Sequence, residues 1–349
     1  MTKRIALIPG DGIGREVVAG AERALETLVT RHGLPLDWTT FDWGAEKYLC
    51  EGVTLPEGAL EMLHRDFHAI LLGAMGDPRV PSNQHAVDIL LGIRFGLDLY
   101  VNQRPAKLLD GRLCPLRGFS KSDINFVICR ENTEGAYAGV GGNFKRDTVD
   151  EVAVQEDVNT RRGVERILVY AFEYARRRGL KKLCMSDKAN AMPYGHGLWQ
   201  RTFTQVQERF PEVEARHLYI DTLATEMVRN PSQFQVIVTC NLFGDILSDL
   251  AAALVGGLGV APSANLNPGR ISMFEPVHGS APNLAGKNIA NPMGAILSLG
   301  MMLEELGFSE ESTRIAKGVA DAIHQGISTP DLGGSLGTCE VAQWICTRL

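Results

Sequence analysis

The middle of the sequence repeats a short apolar run followed by a helical segment, and this repetition constrains the fold more than any other feature. KKLCMSD at 181–187 leads into a helix near 197–210, RHLYID at 216–221 leads into LATEMV, and QVIVTC at 235–240 leads into a helix after Asn241. Alternating strands and helices are typical of α/β proteins with a mainly parallel sheet. We therefore predict an α/β fold, and 349 residues are enough for two lobes with separate cores.

The helix after Asn241 carries two carboxylates, Asp245 and Asp249, four residues apart. Residues at this spacing lie on one helical face, with Cβ atoms about 6 Å apart, so both side chains can point to the same place. Their neighbours are mostly apolar, and we expect carboxylates embedded there to need a partner. An all-oxygen site suits Mg²⁺ or Mn²⁺. A solvated helix face is the alternative interpretation, and the apolar surroundings favour the metal.

The N-terminal segment RIALIPGDGIG combines a strand, a glycine turn and the start of a helix. Its glycines, Gly10, Gly12 and Gly14, are spaced GxGxG rather than the GxGxxG of dinucleotide-binding Rossmann folds. No acidic residue ends a second strand at the distance that such folds require. The segment predicts a tight strand-to-helix turn and is only weak evidence for a nucleotide site.

Composition and charge exclude several classes of protein. A net charge of −6 offers no basic face to a phosphate backbone, which excludes nucleic acid as a partner. No apolar run approaches the roughly 20 residues of a spanning helix, and the N-terminus lacks a signal-peptide pattern, so no membrane is expected. The seven cysteines are scattered without CxxC spacing, which is typical of reduced thiols in a cytoplasmic protein.

Further elements follow from the apolar periodicity and from the positions of glycine and proline. After Gly257 we expect a loop-rich stretch that leads to the C-terminal helices. The other expected elements are strands at 69–76 and 124–130, an extended segment from Tyr100, a strand or arm at 152–158, and helices at 57–65, 161–179, 294–306 and 309–325.

Charged residues converge at the ends of the predicted strands. Lys188 follows the strand at 181–187, Asp221 ends the next strand, and Asp245 follows the third. Ligands of open α/β sheets bind beyond the carboxyl ends of the strands, so we expect these side chains to serve one site. Each of them, taken alone, could equally be a surface residue.

Three arginines, Arg94, Arg104 and Arg130, lie beside apolar runs. Arginine binds a carboxylate through two parallel hydrogen bonds, so a group of arginines with a divalent cation would fit a small di-acid. Structural ion pairs are the alternative for any one of them.

Six motifs together resemble a known family, the metal-dependent decarboxylating dehydrogenases of 2-hydroxy acids, which act on isocitrate, homoisocitrate, isopropylmalate, D-malate or tartrate. They occur in the family's order over nearly the whole chain. The motifs are IPGDGIG at 8–14, VNQRPAK at 101–107, RENTEG at 130–135, DKAN at 187–190, NLFGDILSD at 241–249 and FEPVHGSAP at 274–282.

The resemblance implies an isopropylmalate-dehydrogenase-like fold of two lobes on a shared, mixed and mainly parallel sheet, which is not a Rossmann fold. Residues 1–100 and 255–349 would form the first lobe, on the cofactor side. Residues 101–254 would form the second lobe, which holds the metal, the substrate and the dimer interface. The family implies a homodimer with shared active sites, in which Asp221 and Lys188 come from the partner subunit.

The resemblance also implies roles for individual residues. The implied cofactors are NAD, Mg²⁺ or Mn²⁺, and a monovalent cation such as K⁺. The catalytic residues would be Tyr137, Lys188 and Asp221; the metal ligands Asp221, Asp245 and Asp249; the substrate-binding residues Leu90, Leu91, Arg94, Arg104 and Arg130; and the cofactor-binding residues Ala74, His278, Gly279, Ser280, Ala281, Pro282, Asn283 and Asn291.

The helix before Arg94 indicates the substrate. Val87, Leu90 and Leu91 form an apolar wall there, which would leave a third carboxylate desolvated and unpaired. Isocitrate and homoisocitrate are therefore disfavoured. RRGVERILVYAFEYAR at 161–176 and APSANLNP at 261–268 resemble D-malate and tartrate dehydrogenases. The resemblance therefore implies the NAD-dependent oxidative decarboxylation of D-malate to pyruvate and CO₂, or of tartrate. The alternative is 3-isopropylmalate dehydrogenase of leucine biosynthesis, since the leucines could cover an isopropyl group.

A non-catalytic homologue, such as a regulatory subunit, should have lost a catalytic or metal-binding residue, and none is lost. Asn283 stands directly after HGSAP, where NAD-using relatives generally carry an aspartate. An amide can accept a hydrogen bond from a ribose hydroxyl but cannot repel the extra phosphate of NADP. We therefore predict NAD as the preferred nucleotide, with weaker discrimination than an aspartate would provide.

Overall fold

The computed structural model describes residues 2–349 and has an α/β fold with a large mixed, mostly parallel sheet, as predicted. The strands are β1 (Lys3–Ile8), β2 (Leu36–Thr40), β3 (Ala69–Leu72), β4 (Val101–Lys107), β5 (Asn125–Glu131), β6 (Gly141–Phe144), β7 (Val152–Gln155), β8 (Lys182–Asp187), β9 (Glu214–Tyr219), β10 (Val236–Thr239), β11 (Pro262–Leu266) and β12 (Ser272–Pro276). The α-helices are α1 (Gly14–His32), α2 (Ala45–Glu51), α3 (Ala59–Asp66), α4 (Gln84–Gly96), α5 (Arg161–Arg177), α6 (Gly195–Gln207), α7 (Ile220–Arg229), α8 (Asn241–Leu254), α9 (Met293–Glu305), α10 (Ser309–His324) and α11 (Thr338–Cys346).

The chain divides into two compact units. The first comprises Met1–Leu99, Arg104–Ile124 and Ala252–Leu349, and the second comprises Tyr100–Gln103 and Asn125–Ala251. The segment 104–124 thus belongs to the first unit, although we expected it in the second lobe. Local contacts explain this placement: Leu108 N donates to Ile124 O, and Arg112 Nη2 donates to Ile323 O at the end of α10, over 2.8 Å.

The first unit has the strand order β2-β1-β3-β12-β11. β1 pairs in parallel with β2 and β3, β3 pairs in parallel with β12, and β11 runs antiparallel to β12. The runs Ile5 to Ile8 and Ile70 to Leu72 are fully buried, because helices cover this sheet, among them α9 on β11 and β12. Helix α1 is closed by Gly33, which adopts φ 64° and donates its main-chain N–H to Val29 O.

The second unit has the strand order β5-β10-β8-β9, in which all neighbours are parallel. Its strands alternate with helices, as the repeated sequence units predict. The long helix α5 begins at Thr160, whose hydroxyl accepts a hydrogen bond from Gly163 N, and the chain turns at Gly179 with φ 65°. A separate antiparallel hairpin of β6 and β7 is exposed at every residue, which confirms the predicted arm.

Three expectations about local structure are wrong. The stretch after Gly257 contains two strands, β11 and β12, which are buried at every residue. A further helix, α11, follows the two expected C-terminal helices. Asp221 lies in the first turn of α7 and does not end a strand. β11 and β12 lack the alternation of a half-exposed strand because both of their faces are buried.

No helix in residues 2–349 is both long and apolar enough to cross a membrane.

Candidate active site

Helix α8 presents a stripe of four side chains to solvent, Leu242, Asp245, Ile246 and Asp249, at the spacing of one helical face. Leu242 is 38% exposed and Ile246 is 59% exposed, while the Asp245 side chain is 34% exposed and Asp249 is exposed. In a single chain these carboxylates are therefore not embedded among buried apolar residues, which corrects the expectation. We refer to these four residues as the α8 stripe.

Asp245 joins the α8 stripe to a cluster of polar residues in the second unit. Its Oδ1 lies 2.5 Å from Arg130 Nη1, and its Oδ2 accepts a hydrogen bond from Tyr137 Oη over 2.8 Å. Asn241 Oδ1 accepts from Nε and Nη2 of Arg130, over 3.0 and 2.6 Å. We call Arg130, Tyr137, Asn241 and Asp245 the Arg130 cluster. The structure thus brings together three of the predicted residues and adds Asn241.

The position of Arg130 depends on Gly244. Arg130 is 1% exposed at the carboxyl end of β5, and α8 passes directly over its stem. A Cβ atom added at Gly244 would lie 2.5 Å from Arg130 Cγ and 2.6 Å from Arg130 Cβ. Only a glycine therefore permits this approach of helix and strand.

The pKa of the Tyr137 phenol is raised above its usual value, so the group stays protonated to higher pH. Burial raises its pKa, and the hydrogen bond to Asp245 and the charge of that carboxylate raise it further. The Arg130 guanidinium lies 5.2 Å from the centre of the Tyr137 ring. A neutral, hydrogen-bonded phenol beside a buried cation can donate a proton to a bound molecule.

Lys188 and Asp221 form a second group in the same unit. Lys188 directly follows β8, Asp221 lies in the first turn of α7, and Lys188 Nζ lies 2.8 Å from Asp221 Oδ1. The hydrogen bond from Lys188 holds the pKa of the Asp221 carboxyl below its usual range. The Asp221 side chain is 65% exposed, so solvent screens this pair and its contribution to stability is small.

The predicted metal ligands do not form one site within a single chain. Among residues 2–349, no three side chains of His, Cys, Asp or Glu are grouped so that they could hold a metal ion. Asp221 therefore does not join Asp245 and Asp249 here. The donor set itself fits Mg²⁺ or Mn²⁺, since the carboxylates of Asp245 and Asp249, at i and i+4 on one helical face, supply hard oxygen ligands.

In the first unit, Arg94 is buried and bonded to a carboxylate that the sequence reasoning missed. Its Nη2 donates to Glu275 Oε1 over 2.7 Å, and Asn265 Nδ2 donates to the same oxygen over 2.8 Å. Arg104 on β4 is also buried, at 8% exposure. Leu90 and Leu91 are half-buried on α4, and Val87 is 45% exposed. Glu275 lies within the motif FEPVHGSAP, so the sequence marks the residue, but it does not indicate the pairing with Arg94.

The glycine turn at the N-terminus packs against two predicted cofactor residues. Asp11 N donates to Ala74 O over 2.7 Å, and Ile13 N donates to Ser280 O over 2.8 Å. A Cβ at Gly12, whose φ is 53°, would lie 2.1 Å from Ser280 O. The tight turn is confirmed, and these glycines serve close approach between main chains.

The other predicted cofactor residues lie around the same loop. Burial lowers the pKa of His278. Ala281 has φ 37°, a strained value for a residue with a side chain, next to the exposed residues Pro282 and Asn283. Asn291 is buried and already bonded, because its Oδ1 accepts from Met293 N and its Nδ2 donates to Asp331 Oδ2. Gly279 is exposed.

Asp11 is a second buried carboxylate that the sequence reasoning missed. Its Oδ1 accepts from Ala45 N over 2.7 Å, and its Oδ2 accepts from Gly76 N over 2.8 Å and lies 2.7 Å from His85 Nε2. One side chain thus joins the glycine turn to α2, to the loop after β3 and to α4. An acidic residue inside a glycine-rich turn was the available signal.

Comparison with known proteins establishes the family. The family model described as isocitrate/isopropylmalate dehydrogenase matches residues 4–345. The chain is 44% identical to 3-isopropylmalate dehydrogenase of Thermobifida fusca, covering 100% of this chain and 98% of that one. It is 44% identical to D-malate dehydrogenase [decarboxylating] of Escherichia coli (99% and 98%) and 43% identical to a probable tartrate dehydrogenase/decarboxylase of Bacillus subtilis (99% and 97%).

A solved structure of isocitrate dehydrogenase from Methylococcus capsulatus is similar to the whole fold. The TM-score is 0.90 and the sequence identity 37%, with 99% of each chain covered. The chain belongs to the isocitrate/isopropylmalate dehydrogenase family. Its relatives carry several substrate names, so membership alone does not select a hydroxy acid.

Proposed function

We propose that the protein catalyses the NAD-dependent, divalent-metal-dependent oxidative decarboxylation of a small 2-hydroxy di-acid, D-malate or tartrate. The Arg130 cluster carries the proposal, because it combines a buried guanidinium, a proton donor and a carboxylate within hydrogen-bonding distance. Arg130 already binds the carboxylate of Asp245 over 2.5 Å, so an anion is accepted at this position. The 43–44% identity to decarboxylating dehydrogenases supports the reaction class.

Different side chains would serve different steps of such a reaction. Arg94, Arg104 and Arg130 would hold the substrate's carboxylates. Lys188, as the neutral amine beside Asp221, would accept the proton of the substrate hydroxyl, and Tyr137 would give a proton to carbon after CO₂ leaves. Asp221, Asp245 and Asp249 would hold the cation, which lowers the pKa of the hydroxyl and stabilises the enolate. Ala74 and the loop at 278–283 would hold NAD⁺, which would supply the hydride acceptor for oxidation of the hydroxyl to the ketone that decarboxylation requires.

Two exposed apolar surfaces of the second unit support a homodimer with shared sites. Leu242 and Ile246 flank the carboxylates of the α8 stripe, and the β6–β7 hairpin exposes Phe144 at 66% and Val154 at 49%. Contiguous exposed apolar residues mark interaction sites. A second copy of the chain that covers the α8 stripe would also deliver Asp221 and Lys188 to Asp245 and Asp249, which a single chain does not do.

The surroundings of α4 support a substrate with two carboxylates. Val87, Leu90 and Leu91 offer no hydrogen-bond donor. A third carboxylate beside these side chains would be desolvated without a partner. This favours D-malate or tartrate over isocitrate, and 3-isopropylmalate remains the second candidate because two leucines can cover an isopropyl group.

We expect D-malate or a tartrate to exceed isopropylmalate in kcat/KM by at least about tenfold, or about 1.4 kcal/mol. The measurement is NADH formation by the purified protein with Mn²⁺ and NAD⁺, on D-malate, L- and meso-tartrate, isopropylmalate and isocitrate. Omission of the metal with a chelator is the control. The reverse order of isopropylmalate and malate would assign the protein to leucine biosynthesis, and no turnover of any substrate would support a non-catalytic homologue.

We expect NAD to exceed NADP in kcat/KM, and Asn283→Asp should increase that preference. Asn283 is exposed, and a carboxylate there would repel the 2′-phosphate of NADP. Asn125→Asp is a matched control, since Asn125 is likewise exposed and lies at the start of β5 in the second unit. An unaltered NAD/NADP ratio in Asn283→Asp would show that this residue does not lie at the ribose.

A further inference from the structure

His196 is a buried histidine of α6 that bonds to the main chain of Lys188. Its side chain is 1% exposed, and Nδ1 accepts a hydrogen bond from Lys188 N over 2.8 Å. Helix α6 begins only one residue before His196, so the helix end itself places the ring against the turn that follows β8. Nothing in the family motif DKAN, which ends at Asn190, predicts this contact.

The contact determines which nitrogen of the neutral ring carries the proton. A main-chain N–H can only donate a hydrogen bond, so Nδ1 must carry a lone pair and the proton of the neutral imidazole must lie on Nε2. Nε2 faces the Asp157 carboxylate, whose Oδ2 is 3.5 Å away. The carboxylate thus favours the tautomer that the Lys188 contact requires. Asn159 Nδ2 donates to Asp157 Oδ2 over 2.6 Å, and Trp199 Nε1 donates to Asn159 Oδ1 over 2.8 Å.

The ring touches three segments of the second unit. It contacts the Lys188 turn and the 157–159 segment, and its centre lies 5.2 Å from that of Phe243 on α8 in an edge-to-face arrangement. The 157–159 segment is bridged in turn to the residues before Tyr137, because Gly135 N donates to Val158 O over 2.7 Å. His196 therefore lies where the supports of Lys188 and Tyr137 meet.

The bond to His196 is one of three hydrogen bonds that fix the Lys188 main chain. The carbonyl oxygen of Lys188 accepts from Ala191 N and Met192 N, over 2.9 and 2.8 Å, which closes the turn. The amide of Lys188 points away from that turn, and His196 supplies its partner. Without this acceptor the amide would lose its partner beside the buried position of residue 196, in the residue that carries the lysine side chain.

We propose that His196 is a positioning residue that holds the Lys188 main chain, and through it the lysine amine, in the orientation for proton transfer. The catalytic half of this proposal rests on the proposed function, in which Lys188 accepts the substrate's hydroxyl proton. His196 itself lies too deep to meet a substrate. Its role is to accept one hydrogen bond with an orientation that Asp157 maintains.

Two substitutions separate hydrogen bonding from packing. His196→Asn keeps an oxygen acceptor close to the position of Nδ1 but leaves a void, whereas His196→Leu fills more of the space and accepts no hydrogen bond. Thr202→Val is the matched control: Thr202 is fully buried on the same helix, and its hydroxyl donates only to Leu198 O over 2.7 Å. If His196 only packs, Leu should be tolerated better than Asn.

We expect the opposite order. In His196→Leu, hydrogen exchange of the Lys188 amide should accelerate about tenfold or more, because the amide loses its partner. His196→Asn and Thr202→Val should stay close to the wild-type exchange rate. With the substrate found for the wild type, kcat should fall about 10- to 100-fold in His196→Leu while KM changes little, because a displaced catalytic group affects the chemical step. The Asn variant should keep most of its kcat.

Equal exchange rates in the Leu variant and the wild type would overturn the proposal, as would equal losses of kcat in the Leu and Asn variants. Amide exchange requires no turnover, so it decides whether His196 holds Lys188 even if the wild type oxidises none of the hydroxy acids. That last result would refute the proposed function and not the contact.

Discussion

Replacing Asp245 with Asn should abolish turnover while the chain still folds. The amide can keep the acceptor for Arg130 and a partner for the Tyr137 hydroxyl, but it removes the negative charge that a divalent cation requires. Mn²⁺ affinity should fall by more than about 100-fold, because loss of even an outer hydrogen-bonding partner of a metal ligand commonly costs about 10- to 100-fold. Calorimetric titration with Mn²⁺ and thermal unfolding measure the two effects.

Asp249→Asn distinguishes the effect on metal binding from the effect on the Arg130 ion pair. Asp249 is exposed on the α8 stripe, so this variant should lose Mn²⁺ affinity with less change in the free energy of unfolding than Asp245→Asn, which weakens the pairing of a buried guanidinium. Wild-type activity of Asp245→Asn at limiting Mn²⁺ would show that the metal assignment is wrong.

A mixing experiment tests whether the site is shared between subunits. Asp245→Asn and Asp221→Asn should each be inactive as homodimers. In a mixed dimer both substitutions fall in one site and the other site is intact, so refolding an equimolar mixture should restore about a quarter of wild-type activity. A mixture of two inactive variants that stays inactive would contradict a site shared between subunits, and an active Asp221→Asn homodimer would remove Asp221 from the site.

Gly244→Ala should displace Arg130 and lower both stability and activity. The new methyl group would lie within 2.6 Å of the Arg130 Cβ and Cγ atoms, which are close to the main chain of β5 and cannot swing aside as a flexible tip would. Relieving such a clash costs about 1–3 kcal/mol of unfolding free energy. The expected readouts are a lower midpoint of denaturation and a raised KM, since Arg130 would hold a substrate carboxylate.

Gly197→Ala is the matched control for that experiment. Gly197 lies in helix α6 of the same unit, and a Cβ there would meet only Arg201 Nη1, at 3.3 Å. Alanine is a better helix former than glycine by about 1 kcal/mol, so this variant should be neutral or slightly stabilising. Equal effects of the two alanines would mean that Gly244 is not needed for the approach of α8 to Arg130.

The repeated strand–helix units and the order of the motifs predict the fold class because they are local patterns. The strand that ends before Lys188 and the helix that carries Asp245 lie where the apolar runs indicate. The same patterns do not predict β11 and β12. A strand buried on both faces shows no alternation, and it can contain polar residues such as Ser263, Asn265 and Ser272 where a partner or a small space accommodates them. Asn265, for instance, depends on Glu275 in the neighbouring strand.

The sequence predicts which helical face carries the candidate residues, but not which side chains contact one another. Spacing on one helix places Asp245 and Asp249 on a common face, and that deduction needs no tertiary structure. The bond between Arg130 and Asp245 joins residues 115 positions apart, and the pair of Arg94 and Glu275 spans 181 positions. Such pairings depend on strand order, which the apolar pattern does not contain. The contact of His196 is hidden for a different reason: its partner lies only eight residues away but is a main-chain amide, which no pattern of side chains marks.

The discontinuity of the first unit bears on how the protein is made. The second unit is nearly contiguous, from Asn125 to Ala251, whereas β3 of the first unit pairs with β12, roughly two hundred residues further along the chain. At translation rates of about 5–20 residues per second, the edge of β3 would wait roughly 10–40 s for its neighbour. An unpaired apolar strand edge can recruit other chains during that interval. A ribosome-bound chaperone thus has most to protect in the first hundred residues, long before the carboxylates of α8 are synthesised.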